Sequence, residues 1–227
     1  MKHFIKKILV TSFIFLSLAT RAEPDTNDFV QFKISSLQLF SSFSSFIYFQ
    51  GDDRSRTRLI NAISRGDQAI SRLPDSEVEL KLKWEVMSDF VESYQAHNFN
   101  GADMSLEAGW SIHQRELNDI VAGRDANKVN EISGVQIKME TILSQYMGYA
   151  NSTTGGYGVS YGDVSLEEQI EIIKQELVRL AQEDVQYQPL LRKWSYIQGT
   201  LLAYNSNVAP FVVLHTFESM RKIIASY

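Results

Sequence analysis

Apolar residues recur along this chain at spacings of three and four, the period of an α-helix with one buried face. The first stripe, Phe29, Phe32, Leu37, Phe40, Phe43, Phe46 and Ile47, predicts a helix over 29–50 with serines filling the remaining positions. No charge interrupts 34–51, but a serine-rich run of this kind falls short of the roughly 20 strongly apolar residues that span a bilayer, so a buried core helix is expected. Gly51-Asp52-Asp53 breaks the pattern, and Leu59, Ile60, Ile63, Ile70 and Leu73 then predict a second helix over 56–73, ended by Pro74-Asp75. Ser76 and Glu79 match a capping box, which places the start of a third helix near Glu77. It carries Val78, Leu80, Leu82, Trp84, Met87, Val91 and Tyr94 and stops at 97–101. A fourth helix over 104–121 carries Leu106, Trp110, Ile112, Leu117 and Ile120, with Gly123 as its stop.

The programme restarts near Val129. Ile132, Val135, Ile137, Met139, Ile142, Leu143, Tyr146 and Met147 predict a fifth helix, followed by a loop over 148–164. Ser165 and Glu168 form a second capping box and open a sixth helix through Leu180, with Glu167, Glu168 and Glu171 where the helix dipole favours negative charge. Gln188-Pro189 precedes a seventh helix over 190–204, and Pro210 introduces an eighth over 211–225. Leu80, Lys83, Trp84 and Tyr94 recur as Leu190, Lys193, Trp194 and Tyr204 at a constant offset of 110 residues, which points to duplicated architecture. The pattern therefore predicts an all-α protein, an antiparallel helical bundle of about eight helices arranged as two similar four-helix units. The first unit would cover 23–126 and the second 127–227, either separate or fused into one domain. In outline this is similar to the helical ligand-binding regions of bacterial envelope receptors, although no motif ties the chain to a family.

Residues 1–22 add a destination. Lys2, Lys6 and Lys7, an uncharged apolar run over 8–19 and Thr20-Arg21-Ala22 before Glu23-Pro24 are the parts of a cleaved signal peptide. The mature chain is expected to be exported, to the periplasm if the source is a Gram-negative bacterium and otherwise secreted, with no transmembrane span. Loss of Lys2, Lys6, Lys7 and Arg21 leaves 18 of the 22 basic residues against 27 acidic ones, a net charge of −9. Such a chain is repelled by phosphate backbones, which argues against a nucleic-acid partner. The chain has no cysteine, so neither a disulfide nor a thiolate ligand or nucleophile is available, and the fold must hold by packing.

Catalytic chemistry finds no motif. His97, His113 and His215 stand apart without metal-ligand spacing, and the adjacent His113 and Glu116 read as surface pairing, so no metal or other cofactor is expected. No Gly-x-Ser-x-Gly elbow is present, and a carboxylate hydrolase ranks last among the readings. Two features suggest binding. The glycine- and hydroxyl-rich loop over 148–162 carries Tyr149, Tyr157 and Tyr161, the residue mixture of recognition loops. Trp84, Trp110 and Trp194 sit on apolar helical faces, where aromatics are usually core and less often line a ligand pocket between helices. Arg54, Arg56, Arg58, Arg65 and Arg72 on the second helix suit an anionic ligand or a partner's acidic face, but a solvated, salt-bridged face is the commoner meaning. The leading expectation is a non-enzymatic binding or accessory protein of the cell envelope, acting on an envelope or extracellular protein partner. The alternative is a periplasmic small-molecule-binding protein, sensor-like, with its pocket near the three tryptophans.

Overall fold

The computed structural model describes residues 26–95, 104–122, 129–151 and 164–227. Among them are eight α-helices and no strand: α1 (Thr26–Tyr48), α2 (Asp53–Arg72), α3 (Val78–Ser93), α4 (Met104–Ala122), α5 (Glu131–Asn151), α6 (Leu166–Glu183), α7 (Gln188–Leu202) and α8 (Pro210–Ile224). A short 3₁₀ turn, Val185–Tyr187, which the apolar pattern does not announce, joins α6 to α7. The protein is all-α, as the periodicity predicts. The expected signal peptide and the stop signals at 97–101 and Gly123 lie outside the described residues. No described helix is long and apolar enough to cross a membrane.

Local chemistry sets the helix ends. At the end of α1 the Gly51 N–H bonds the Phe46 carbonyl at 2.9 Å and the Gln50 N–H bonds that of Ile47 at 3.0 Å, with Gln50 at φ 52° and Gly51 at φ 73°. This is the Schellman closure of a helix, with a glutamine in the left-handed position usually given to glycine. Asp52 then caps α2 by accepting from the Ser55 N–H at 2.7 Å, and Ser165 caps α6 by accepting from the Glu168 N–H at 3.2 Å. The expected box at Ser76 and Glu79 does not cap α3. The cap position falls on Glu77, whose own N–H closes a turn onto the Pro74 carbonyl, so Ser76 stands one residue too early to reach the third amide.

The buried apolar side chains form two clusters. One comes from α1–α4 and is rich in aromatics, with Phe32, Phe40, Phe43, Phe46, Trp84 and Trp110. The other comes from α5–α8 and is mainly aliphatic, with Tyr146, Trp194 and Phe217 among Ile, Leu, Val and Met. α3 and α7 bury the same positions at the 110-residue offset: Leu80, Trp84, Met87 and Val91 in one, Leu190, Trp194, Ile197 and Leu201 in the other. Where α1 runs beside α5 the clusters meet along a polar seam. Every residue of α1 from Ile34 to Ile47 is buried, including Ser35, Ser36, Ser41, Ser42, Ser44 and Ser45. Short side chains let the two backbones approach. Part of the hydroxyl cost is met within the helix, where Ser36 donates to the Phe32 carbonyl at 2.9 Å and Ser41 to that of Gln38 at 3.1 Å. Across the seam, Asn151 donates to the Ser44 carbonyl at 2.6 Å and Gln114 to the Ser144 hydroxyl at 3.0 Å.

Candidate functional site: a polar groove on the seam

Four helices converge on a groove of about 550 Å³ that opens beside the seam. Three of them present residues at helical spacing and α5 contributes one side chain. On α1 these are Gln31, Ser35, Gln38 and Ser42, on α2 Arg58, Asn61 and Arg65, on α5 Gln136, and on α8 Leu214, Glu218 and Arg221, with Ala225 just past its end. Steps of three, four and seven keep such residues on one side of a helix, so the convergence follows from how the helices are rotated in the bundle.

Charge in the groove is unevenly matched. Arg221 forks onto Glu140, its Nε 2.6 Å from Oε1 and its Nη2 2.6 Å from Oε2, and Gln38 donates to the same carboxylate at 3.0 Å. Glu140 is only 1% exposed, and this bidentate pair with an added amide is the arrangement that lets a carboxylate survive burial. Burial alone would lower the Arg221 pKa, but the Glu140 charge and its hydrogen bond outweigh that, and the guanidinium is held above its usual value. Nearer the mouth, Arg58 donates through Nε to Glu218, and Arg54 stands 3.8 Å from the other carboxylate oxygen. Burial pushes Glu218 up, yet Arg58, Arg54 and Arg221 together hold it below the usual carboxylate range.

Two cationic groups keep unused donors. The Arg58 side chain is 13% exposed, and its Nη2 is buried without a hydrogen-bond partner among the described residues. Arg65 makes no ion pair or hydrogen bond among the described residues. Burial lowers its pKa, the neighbouring Arg221 lowers it further, and Glu140 partly restores it. With Lys222 at the rim, the groove gathers four cations against the two carboxylates of Glu140 and Glu218. An excess of two positive charges in a chain of net charge −5 is a local reversal of sign. Guanidinium groups with free N–H donors bind carboxylate and phosphate oxygens.

A second depression of about 550 Å³ lies between α7 and α8. Arg192, Lys193 and Tyr196 line one wall, and Phe211, Val212 and His215 the other. Tyr196 is 69% and Phe211 53% exposed, the Phe211 and His215 rings lie parallel at 6.5 Å, and Arg54 stands 5.1 Å from the Phe211 ring centre.

Of the residues singled out in the sequence, Arg58 and Arg65 line the groove, whereas the tryptophans and Tyr149 fall elsewhere. Trp84 and Trp110 belong to the first cluster and Trp194 to the second, all at most 4% exposed, and none lines either depression. Trp84 donates to Asp67 at 2.8 Å, and Trp110 packs 4.5 Å from Phe43. Trp84 and Trp110 serve as apolar filling in one cluster and Trp194 in the other. Tyr149 belongs to the last turn of α5 and not to the expected loop, because the helix continues to Asn151; it is half-buried and packs 4.7 Å from Tyr204, whose hydroxyl donates to Glu167 at 2.8 Å. That bond is the main reason the Tyr204 pKa is pushed up to about 12. Tyr157 and Tyr161 lie outside the described residues. Glu116 pairs with Lys83 at 2.7 Å, which together with the nearby His113 lowers its pKa, and His113 packs on Phe90 at 4.7 Å. Among the described residues no group of three or more His, Asp or Glu could hold a metal ion.

Sequence reasoning flagged Arg58 and Arg65 but missed the rest of the groove. The available signals were the polar stripe Gln31, Ser35, Gln38 and Ser42 on a helix that carries no charge from Ile34 onward, and Glu140 lodged between Met139 and Ile142. No protein-family profile, curated protein or solved structure matches this chain.

Proposed function

We propose that this chain is a non-enzymatic, exported binding protein of the cell envelope that holds a small anionic ligand in the seam groove. The unused guanidinium donors of Arg58 and Arg65 over a serine- and amide-lined groove carry the reading. The buried Arg58 donor is costly without a partner, Arg65 is exposed and free to meet a ligand, and an incoming oxyanion satisfies both while displacing poorly bound water. Export rests on the signal-like pattern over 1–22. Titration calorimetry with inorganic phosphate and with succinate tests the reading. Binding in the wild type that Arg65→Gln weakens about tenfold, the effect of one lost charge-assisted bond, supports it. No heat with any anion, or full binding by R65Q, would sink it.

The α7–α8 depression favours a second reading, the docking of a protein partner. Exposed Tyr196 and Phe211 supply the aromatic anchors enriched at interfaces, and Arg192 and Lys193, without ion pairs among the described residues, select an acidic segment. Reversing both charges with R192E and K193E would abolish such a complex while leaving anion binding in the groove intact.

A further inference from the structure

We infer that the ligand of the seam groove is a polyhydroxylated anion, a polyol or sugar carrying one carboxylate or phosphate group, and not a bare oxyanion. The inference rests on the anion-binding reading above and adds the neutral part of the site. Ser35 and Ser42 from α1, Gln31, Gln136 from α5 and Asn61 from α2 line the groove and make no hydrogen bond with one another or with any other described residue. A single oxyanion on Arg65 would leave these hydroxyls and amides idle. Serine hydroxyls both donate and accept, and side-chain amides offer two donors and an acceptor, which is the mixed set that matches vicinal hydroxyl groups.

Size and charge agree. The groove of about 550 Å³ falls within the range of roughly 300–1,000 Å³ typical of small-molecule sites and far exceeds what phosphate or acetate fills. Arg221 and Arg58 already have carboxylates, so Arg65 and Lys222 supply the excess charge, enough for one anionic group of charge −1 or −2 at the mouth. The hydroxylated body would then lie along the α1 stripe, between helices of both clusters. Ile34 and Leu214 give the carbon face of a sugar or polyol an apolar surface to rest on.

The test is calorimetry of the purified full chain with four probes: gluconate, glucose 6-phosphate, glucose and inorganic phosphate. Gluconate or glucose 6-phosphate should bind at least about tenfold tighter than phosphate or glucose, and the stronger of the two identifies the anionic group. Replacing Ser35 and Ser42 together by alanine should weaken the hydroxylated anion about tenfold and leave phosphate binding unchanged. If phosphate binds as tightly as both hydroxylated anions, this inference fails and the anion-binding reading stands. If glucose matches gluconate, or none of the four binds, the anion-binding reading fails with it.

Discussion

Trp84 and Trp194 occupy the same place on α3 and α7, yet their surroundings differ. Both are buried, at 3% and 0% exposure, four residues after a buried leucine and three before a buried Met or Ile. Trp84 meets Phe32 edge-on at 5.5 Å, and its indole N–H has Asp67 as acceptor. Trp194 has Phe217 of the last helix at 6.3 Å, and its N–H has no partner among the described residues. Helical periodicity fixes which face of α3 or α7 turns inward, but not which neighbour meets it or whether its polar atom is satisfied. The seam between the clusters follows a third rule: beside apolar packing from Ile137 and Tyr48, its contacts include buried hydroxyls, amides and an ion pair. Apolar burial is non-directional and tolerates many partners, whereas a buried carboxylate requires specific ones.

The sharpest way to break this contrast is at Glu140. Glu140→Ala would leave the Arg221 guanidinium and the Gln38 amide in the seam without their acceptor, and a loss of about 3–5 kcal/mol is expected from urea unfolding. The double change Glu140→Leu with Arg221→Met removes both charges and should recover much of that loss. A single substitution costing under about 1 kcal/mol would mean that water reaches the pair and that the seam is not dry.

Glycine substitutions compare a buried position of α2 with an exposed one of α7 by identical chemistry. Gly66 of α2 faces Trp84 so closely that an added Cβ would lie 1.9 Å from ring carbon Cη2 and 2.0 Å from Cζ2. Gly66→Ala should destabilise by about 1–3 kcal/mol, the cost of overpacking exceeding the helix propensity gained. Gly199 of α7 has nothing within 4 Å of the place an added methyl would take, so Gly199→Ala should stabilise by about 0.5–1 kcal/mol. Opposite signs in thermal unfolding are the expected result, and a stabilising Gly66→Ala would show that the indole has room to move.

These examples mark what was legible in the sequence. Helix positions came from the apolar period, because that signal is repeated many times within each element. The Ser165 cap was legible because hydroxyl and amide are three residues apart in one local turn. Ser76 misled because a capping box needs the serine at the cap position itself, and the turn closed by Pro74 moves that position to Glu77. The groove was the least visible. Its residues come from α1, α2, α5 and α8, and whether Arg65 ends free while Arg221 ends paired depends on the rotation of helices distant in sequence. The three tryptophans attracted attention for their size, and size is the property that consigned them to the cores.

The finest comparison is between the caps of the two second helices. Asp52 on α2 and Ser165 on α6 accept from equivalent amides, but the aspartate does so at 2.7 Å with a full charge and the serine at 3.2 Å with a hydroxyl. Removal of either cap costs about 0.5–2 kcal/mol, and a negative charge at a helix N-terminus adds a few tenths more, roughly 0.3–1 kcal/mol. Asp52→Ala should therefore destabilise more than Ser165→Ala, and the gap should shrink on going from low salt to about 1 M, where the Debye length falls to about 3 Å. Gly51 sharpens the difference, because Arg56 donates to its carbonyl at 2.9 Å and stands over the Phe46 ring, so the α1–α2 turn is tied to the first cluster. Unfolding of the two variants at both salt concentrations separates the charge from the hydrogen bond. Equal losses that do not respond to salt would assign both caps to hydrogen bonding alone.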